Sequence, residues 1–258
     1  YFSSELVQNG NFSELGSELV TNGGFDTDSG WEFFNSSANT NTRWENQEAV
    51  LEVLSSQFTR FISGNIMTVG KTYRVDYEVV QTDNSDLNIQ YPNTSLDSSL
   101  GTHTVYIVAT DARIGFSKVG VGKITIDNVS VKQVDPNDRW NLDSDWTYGN
   151  NKVTFDYASS TRKIFQDNLS LDASKNYRLK FTIQDVISGT PNIYIGNSSG
   201  NEQLVGYTNY PQGSYSLIVS PPSNSTTLAF WCQNADFSIT NISLVEVQGD
   251  RPRLSYDI

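Results

Sequence analysis

Cysteine and histidine each occur once in this chain of 258 residues, as Cys232 and His103. A single cysteine forbids an intrachain disulfide, and a domain of ordinary size does not need one. A single histidine forbids a histidine-based zinc cluster and any relay of several imidazoles. A Ser-His-Asp triad would have to use His103, which lies in a threonine-rich stretch with no nucleophile signature beside it. Basic residues are scarce, 17 against 29 acidic ones, for a net charge of −12. With no basic stripe, the chain repels phosphate backbones, which excludes nucleic acid as a partner. No apolar run reaches the ~18 residues of a membrane-spanning helix. The opening Tyr1–Phe12 has neither the basic start nor the apolar middle of a signal peptide. Phosphate-binding loops, G-x-S-x-G and H-E-x-x-H are all missing. Acidic residues fall mostly in turns, and nothing marks a pair for glycoside hydrolysis. The chain reads as a non-enzyme.

What is present is enough for real cores: 37% hydrophobic and 12% aromatic residues. The remainder is dominated by Ser, Thr, Asn and Gly, the palette of strands joined by many turns. Internal similarity runs at two scales. Glu5-Leu-Val-Gln-Asn-Gly-Asn-Phe12 is echoed thirteen residues later by Glu18-Leu-Val-Thr-Asn-Gly-Gly-Phe25. Thirteen residues cannot make a domain, so the first copy reads as a linker or an eroded remnant. The larger repeat pairs Lys71–Val75 with Lys175–Leu179, Gly101–Val105 with Gly213–Leu217, Ile126–Val131 with Ile239–Leu244, and Trp31 with Trp146. The order is kept while the offsets drift by loop-sized amounts. These matches predict two homologous modules, 17–135 and 136–248, with a linker or remnant over 1–16 and the start of a following segment over 249–258. Both ends read as cuts within a longer polypeptide.

The matched segments alternate with period two, which is the signature of half-buried strands. Tyr73, Val75, Tyr77 and Val79 share one face of their strand, and Tyr177, Leu179, Phe181 and Ile183 share the same face of theirs. Tyr73, Val75, Val129, Tyr177, Leu179, Phe181 and Ile242 are expected in the cores, as are Trp31, Trp146 and an inert Cys232 thiol. No window shows helical spacing. Short strands cut by Asn, Gly, Ser and Pro predict an all-β fold of two tandem jelly-roll β-sandwich modules.

Glu18–Phe25, Trp31, Val69-Gly-Lys-Thr-Tyr73 and Ile126-Asp-Asn-Val-Ser-Val131 resemble the family 4/9-type carbohydrate-binding modules, a galactose-binding-like jelly roll. They look most like copies found in phage and marine-virus structural proteins. The resemblance covers the first module end to end. The second keeps the tryptophan, the Lys-x-Tyr strand and the closing strand, but not the Asn-Gly-x-Phe opening. Asp250-Arg-Pro-Arg-Leu-Ser-Tyr256 resembles a phrase that follows such modules in tail-fibre and head-fibre proteins. The resemblance implies a sugar-binding concave sheet. It also implies a calcium ion near the start of the module, held by Asp127 with oxygens around Asn22 and Phe25. Thr240 takes the place of Asp127 in the second module, so calcium is expected in the first alone. The plainer alternative is that Asp127 caps a turn.

Strand parity supplies the sugar-binding candidates. Trp231 opposes Leu228, Phe230 and Cys232, and Tyr194 opposes Ile193 and Ile195, so both should face out of their sheet. Arg178, Lys180 and Gln184 lie on the wet side of their strand, and Tyr106 is an equivalent position in the first module. A glycan, a second subunit, the adjacent module and a covering loop are the alternatives for what meets these side chains. The functional expectation is a structural or adhesive segment of a virion appendage, such as a tail or head fibre. It would be extracellular, homo-oligomeric (a trimer fits a fibre), in contact with other virion subunits and binding cell-surface glycan weakly. The rival is the accessory carbohydrate-binding pair of a secreted bacterial polysaccharide-degrading enzyme.

Overall fold

The computed structural model describes residues 2–83 and 86–247; the expected following segment over 249–258 and the phrase Asp250–Tyr256 lie outside them. Among the described residues every regular element is a strand. In chain order these are β1 (Phe2–Glu5), β2 (Leu15–Glu18), β3 (Trp31–Asn35), β4 (Arg43–Glu45), β5 (Glu48–Val53), β6 (Phe58–Ser63), β7 (Thr72–Thr82), β8 (Leu87–Ile89), β9 (Thr94–Leu96), β10 (Gly101–Val108) and β11 (Gly115–Val119). There follow β12 (Gly122–Val134), β13 (Trp140–Leu142), β14 (Trp146–Gly149), β15 (Lys152–Phe155), β16 (Arg162–Gln166), β17 (Tyr177–Gly189), β18 (Asn192–Gly196), β19 (Gln203–Asn209), β20 (Gly213–Val219), β21 (Leu228–Cys232) and β22 (Ala235–Val247).

The strands form two units of two sheets each. Module one is Leu15–Val134. Its sheets run β10-β7-β12-β5-β4, with β2 also on β12, and β3-β6-β11-β8-β9. Module two runs β14-β15-β22-β17-β20, with β1 also on β22, and β13-β16-β21-β18-β19. The strand order is the same in both, which makes each an antiparallel sandwich and the pair a duplication. The seven residues expected in the cores from parity are all buried, and so are Trp31, Trp146 and Cys232. Burial in apolar surroundings pushes the Cys232 thiol well above its usual range.

The chain does not divide once, at 136. Module two joins the residues up to Glu14 to those from Asp135, and module one is inserted between them. The stretch 1–16 is therefore neither a linker nor a remnant. It carries the opening of module two, and the two echoed phrases do the same work in different modules. Leu6 N–H donates to the Leu244 carbonyl and Leu19 N–H to that of Val131, each at 3.0 Å. Ile242 N–H donates to Gly10 and Val129 N–H to Gly23, each at 2.8 Å. A Cβ on Gly10 or Gly23 would collide with the carbonyl oxygen of Ile242 or Val129. That close approach is why the phrase needs glycine there. Opposite the two glycines, Asn128 (φ 50°) and Asn241 (φ 53°) take the left-handed conformation at matched irregularities of the closing strands. Val7 and Phe12 lie in the core of module two, as Phe25 does in module one. Burying side chains of this size stabilises by roughly 1.5–3 kcal/mol apiece.

This arrangement also corrects one repeat match. The counterpart of Trp31 is Trp140. Trp31 donates its indole N–H to the Asn22 carbonyl (2.9 Å) and stacks on Phe25 (5.5 Å between centroids). Trp140 donates to Asn9 (3.1 Å) and packs against Phe12 (5.2 Å). Trp146 sits instead on β14, opposite Phe155. The Lys-x-Tyr match holds in detail. Tyr73 Oη accepts the Thr68 N–H at 2.7 Å, and Tyr177 Oη accepts the Asp172 N–H at 2.8 Å.

Candidate functional site

In the β13-β16-β21-β18-β19 sheet of module two, Ile164, Phe230, Cys232, Ile193 and Ile195 point into the core. The alternate residues point outward and align in rows across the strands. One row is Lys163, Trp231 and Tyr194, paired in register, with the Tyr207 ring 5.5 Å from that of Tyr194. Two residues further along the chain from Trp231 lies Gln233, whose Oε1 accepts the Thr161 hydroxyl at 2.8 Å. Thr190, Asn192, Tyr207, Gln233 and Asn234 line an open cleft of about 470 Å³. Tyr207 is 53% exposed. The site therefore combines an exposed aromatic face with amide and hydroxyl groups, and no ionisable carboxylate lines it.

Trp231 does point out of its sheet, as parity requires, but it is half-buried under its own module. Its indole N–H donates to the Asn197 carbonyl at 3.1 Å. The Lys163 ammonium stands 4.4 Å from the ring centre and donates to the Ser198 carbonyl at 2.7 Å. Gly200, at φ 75°, lies so close that a Cβ there would touch the ring at 3.5 Å. Tyr194 Oη donates to the Gly200 carbonyl at 3.2 Å. Asn197 Oδ1 holds the loop by accepting the Ser199 hydroxyl and the Asn201 N–H, both at 3.1 Å. The covering loop is thus what meets Trp231. Beside the covered tryptophan in the same row, Tyr194 is half-buried, and next to it Tyr207 is exposed.

The other residues that parity singles out do not join this face. Arg178, Lys180 and Gln184 are on β17, in the opposite sheet of the sandwich. Tyr106 is on β10 of module one, paired with Arg74. Their outward parity is right, but a sandwich has two outer faces and parity does not say which sheet a strand joins. Tyr207, Asn192, Gln233 and Asn234 carry no clear sequence signal, for local reasons. Gln203-Leu-Val-Gly-Tyr-Thr-Asn209 does not alternate cleanly, and the β18–β19 pairing is irregular between Ile193 and Ile195 and again between Ile195 and Gly196. Gln233 could have been found by stepping two residues on from Trp231. In module one the equivalent row is Arg60, Ser117 and Asn88. Arg60 covers Phe34 (5.1 Å) and bonds Gln90 Oε1 (3.0 Å), and Ser117 is buried, so the face lacks the aromatic pair.

The oxygens of Asp127, Asn22 and Phe25, the expected calcium ligands, each accept a hydrogen bond within the protein. Asp127 Oδ1 accepts the Asn128 N–H at 2.7 Å, the plainer alternative. The Asn22 carbonyl takes the Trp31 indole, and its amide nitrogen donates at 2.7 Å to both Thr27 and Ser29 carbonyls. The Phe25 carbonyl accepts the Trp44 indole N–H at 2.7 Å. Oxygens facing N–H donors are poorly placed for a hard cation, which needs six to eight oxygen ligands. Among the described residues no three His, Cys, Asp or Glu side chains gather closely enough to hold a metal ion. Burial, then the nearby Glu78 and Asp26 charges, push the Asp127 carboxyl above its ordinary value. Thr240 donates its hydroxyl to the Asn151 carbonyl at 2.7 Å.

No protein-family model matches the chain, and no curated protein sequence does. Among solved structures, the tandem CBM22-1–CBM22-2 domain of Xyn10C from Paenibacillus barcinonensis aligns over 91% of this chain and 99% of its own, at 8% identity and TM-score 0.36. The low-affinity xylan-binding module CBM86 from Roseburia intestinalis aligns over 43% of this chain and 89% of its own, at 15% identity and TM-score 0.32. An allantoicase aligns over 92% of each chain at 10% identity and TM-score 0.34. At such identities and scores these likenesses assign no ligand to the present chain.

Proposed function

We propose that this chain is a non-catalytic glycan-binding protein, and that its sugar site is the Tyr194–Tyr207 face of module two with the adjoining amide-lined cleft. The observation that carries the proposal is the pairing of an exposed tyrosine with Asn192, Gln233, Asn234 and Thr190 around about 470 Å³ of open space. Sugar rings stack their C–H faces on aromatic rings. Side-chain amides donate and accept at once, which suits hydroxyl groups that do the same. A cleft of this volume falls within the roughly 300–1,000 Å³ range of small-molecule sites. Hydrolysis would need a pair of carboxyl groups across the bond to be cleaved, and the lining supplies none. The resemblance to fibre-borne modules favours a virion appendage as the setting, and such a setting would strengthen a weak site by presenting several copies. Glycan binding itself does not depend on that setting.

Tyr207→Ala tests the site. Because Tyr207 is exposed, its removal should leave the thermal midpoint nearly unchanged and weaken binding about tenfold or more, a difference of about 1.4 kcal/mol. A glycan array identifies the ligand and calorimetry measures the loss. Unchanged affinity in the variant would place binding elsewhere.

A further inference from the structure

We infer that the loop joining β18 to β19 is the selectivity element of the Tyr194–Tyr207 face, and that it confines the site to a short, uncharged stretch of glycan. This selectivity rests on the glycan reading above and adds to it the class of ligand.

The loop lies across the Lys163–Trp231–Tyr194 row and bonds to every member of it. On β16 the Lys163 ammonium donates to the Ser198 carbonyl at 2.7 Å. On β21 the Trp231 indole donates to the Asn197 carbonyl at 3.1 Å. On β18 the Tyr194 hydroxyl donates to the Gly200 carbonyl at 3.2 Å. The loop is itself tied down: the Ser198 N–H donates to Thr227 Oγ1 at 2.9 Å, and the Asn197 N–H to the Glu202 carbonyl at 3.0 Å. A glycan chain therefore cannot run along the strands over this row. The open cleft is lined from β18, β19 and the turns that adjoin β18 and β21. Those three neighbouring strands span about 10 Å, room for about two sugar rings.

The same loop takes charge out of the face. Lys163 is the cation of the row, and its ammonium is spent on the Ser198 carbonyl and the Trp231 ring. Glu202, the carboxylate of the loop, accepts the Ser223 hydroxyl. None of Thr190, Asn192, Tyr207, Gln233 and Asn234, which line the cleft, is charged. A uronate or sulfate group placed there would give up water without meeting a cation, which is costly. The net charge of −12 adds repulsion at longer range. Neutral hydroxyls meet amides that donate and accept as they do.

Calorimetric titration of the whole chain with gluco-, galacto- and manno-oligosaccharides, from mono- to hexasaccharide, and with oligogalacturonates tests this. For the neutral series that binds, affinity should rise to the disaccharide and then level off, and oligogalacturonate should bind about tenfold more weakly or worse. Freeing the loop should reverse both preferences. Thr227→Val removes the acceptor of the Ser198 N–H, and Asn197→Ala removes the side chain that holds Ser199 and Asn201. In each variant, with the fold followed by near-ultraviolet dichroism, affinity should go on rising to the hexasaccharide as Trp231 is uncovered. Oligogalacturonate should gain about tenfold, and adding Lys163→Met should abolish that gain. Three results would each overturn the inference: wild-type affinity that climbs steadily with chain length, oligogalacturonate bound as tightly as the neutral series, or loop variants that keep native dichroism and unchanged preferences. Neutral binding indifferent to Tyr207→Ala, or no neutral binding at all, is a separate failure: it removes the glycan reading itself, and the selectivity with it.

Discussion

At the residue scale, three tryptophans that look alike in the sequence have different roles. Trp31 and Trp140 tie the Asn-Gly-x-Phe openings to their sheets through indole hydrogen bonds. Trp146 is equally buried, but its Nε1 has no acceptor. Trp140→Phe should therefore cost about 1 kcal/mol or more, the usual worth of a hydrogen bond whose acceptor is left behind. Trp146→Phe removes comparable ring volume but no hydrogen bond, so it should cost less than Trp140→Phe by about 1 kcal/mol. Urea unfolding midpoints of the two variants check this, and equal losses would show that size alone matters. Parity is enough to place Tyr73, Phe181 and Trp231 on the correct side of their strands. It does not reveal that Trp231 is roofed, because the Asn197–Gly200 loop is set by contacts with Thr227 and Tyr194 that no local pattern announces.

At the element scale, the closing strand of each module is clamped by the glutamate that begins the opening phrase. Glu18 Oε1 accepts the N–H of Val131 (2.9 Å) and of Val20 (3.0 Å), and Oε2 accepts the Ser130 hydroxyl (2.5 Å). Glu5 repeats the pattern with Leu244 (2.7 Å), Val7 (3.0 Å) and Ser243 (2.5 Å). Partial burial alone would raise the Glu18 carboxyl, but these hydrogen bonds, with one from Leu19, outweigh it and hold the group below its usual value. A carboxyl lowered in the folded state binds fewer protons than in the unfolded chain. Its stabilisation is full above the ordinary carboxylate range and is lost as pH falls through the folded value. Glu18→Gln should thus lower the thermal midpoint at neutral pH, and the gap to the wild type should narrow between about pH 5 and pH 2. A gap that stays constant with pH would remove the carboxylate from the account. The anticipated calcium follows the opposite course. With the Asn22 and Phe25 carbonyls facing indole donors, millimolar calcium should leave the midpoint where a chelator leaves it. A calcium-dependent rise abolished by Asp127→Asn would show that the loop rearranges to bind.

At the scale of the whole molecule, the duplication and its strand order are legible from Lys-x-Tyr, the closing strands and their alternation. The nesting is not. A phrase repeated thirteen residues apart reads as one module's opening written twice, because sequence proximity stands in for spatial proximity until the partners of each copy are known. The signal is nevertheless there: module two lacks an opening in its own stretch of sequence, and the chain has one to spare. If residues 2–14 complete module two, the fragment 135–247 should be poorly folded alone, deprived of β1, Val7 and Phe12. Adding a peptide of residues 2–14 in trans should restore its near-ultraviolet dichroism, and a peptide carrying Gly10→Val and Phe12→Ala should not. Full folding of 135–247 without any peptide would contradict the nested construction.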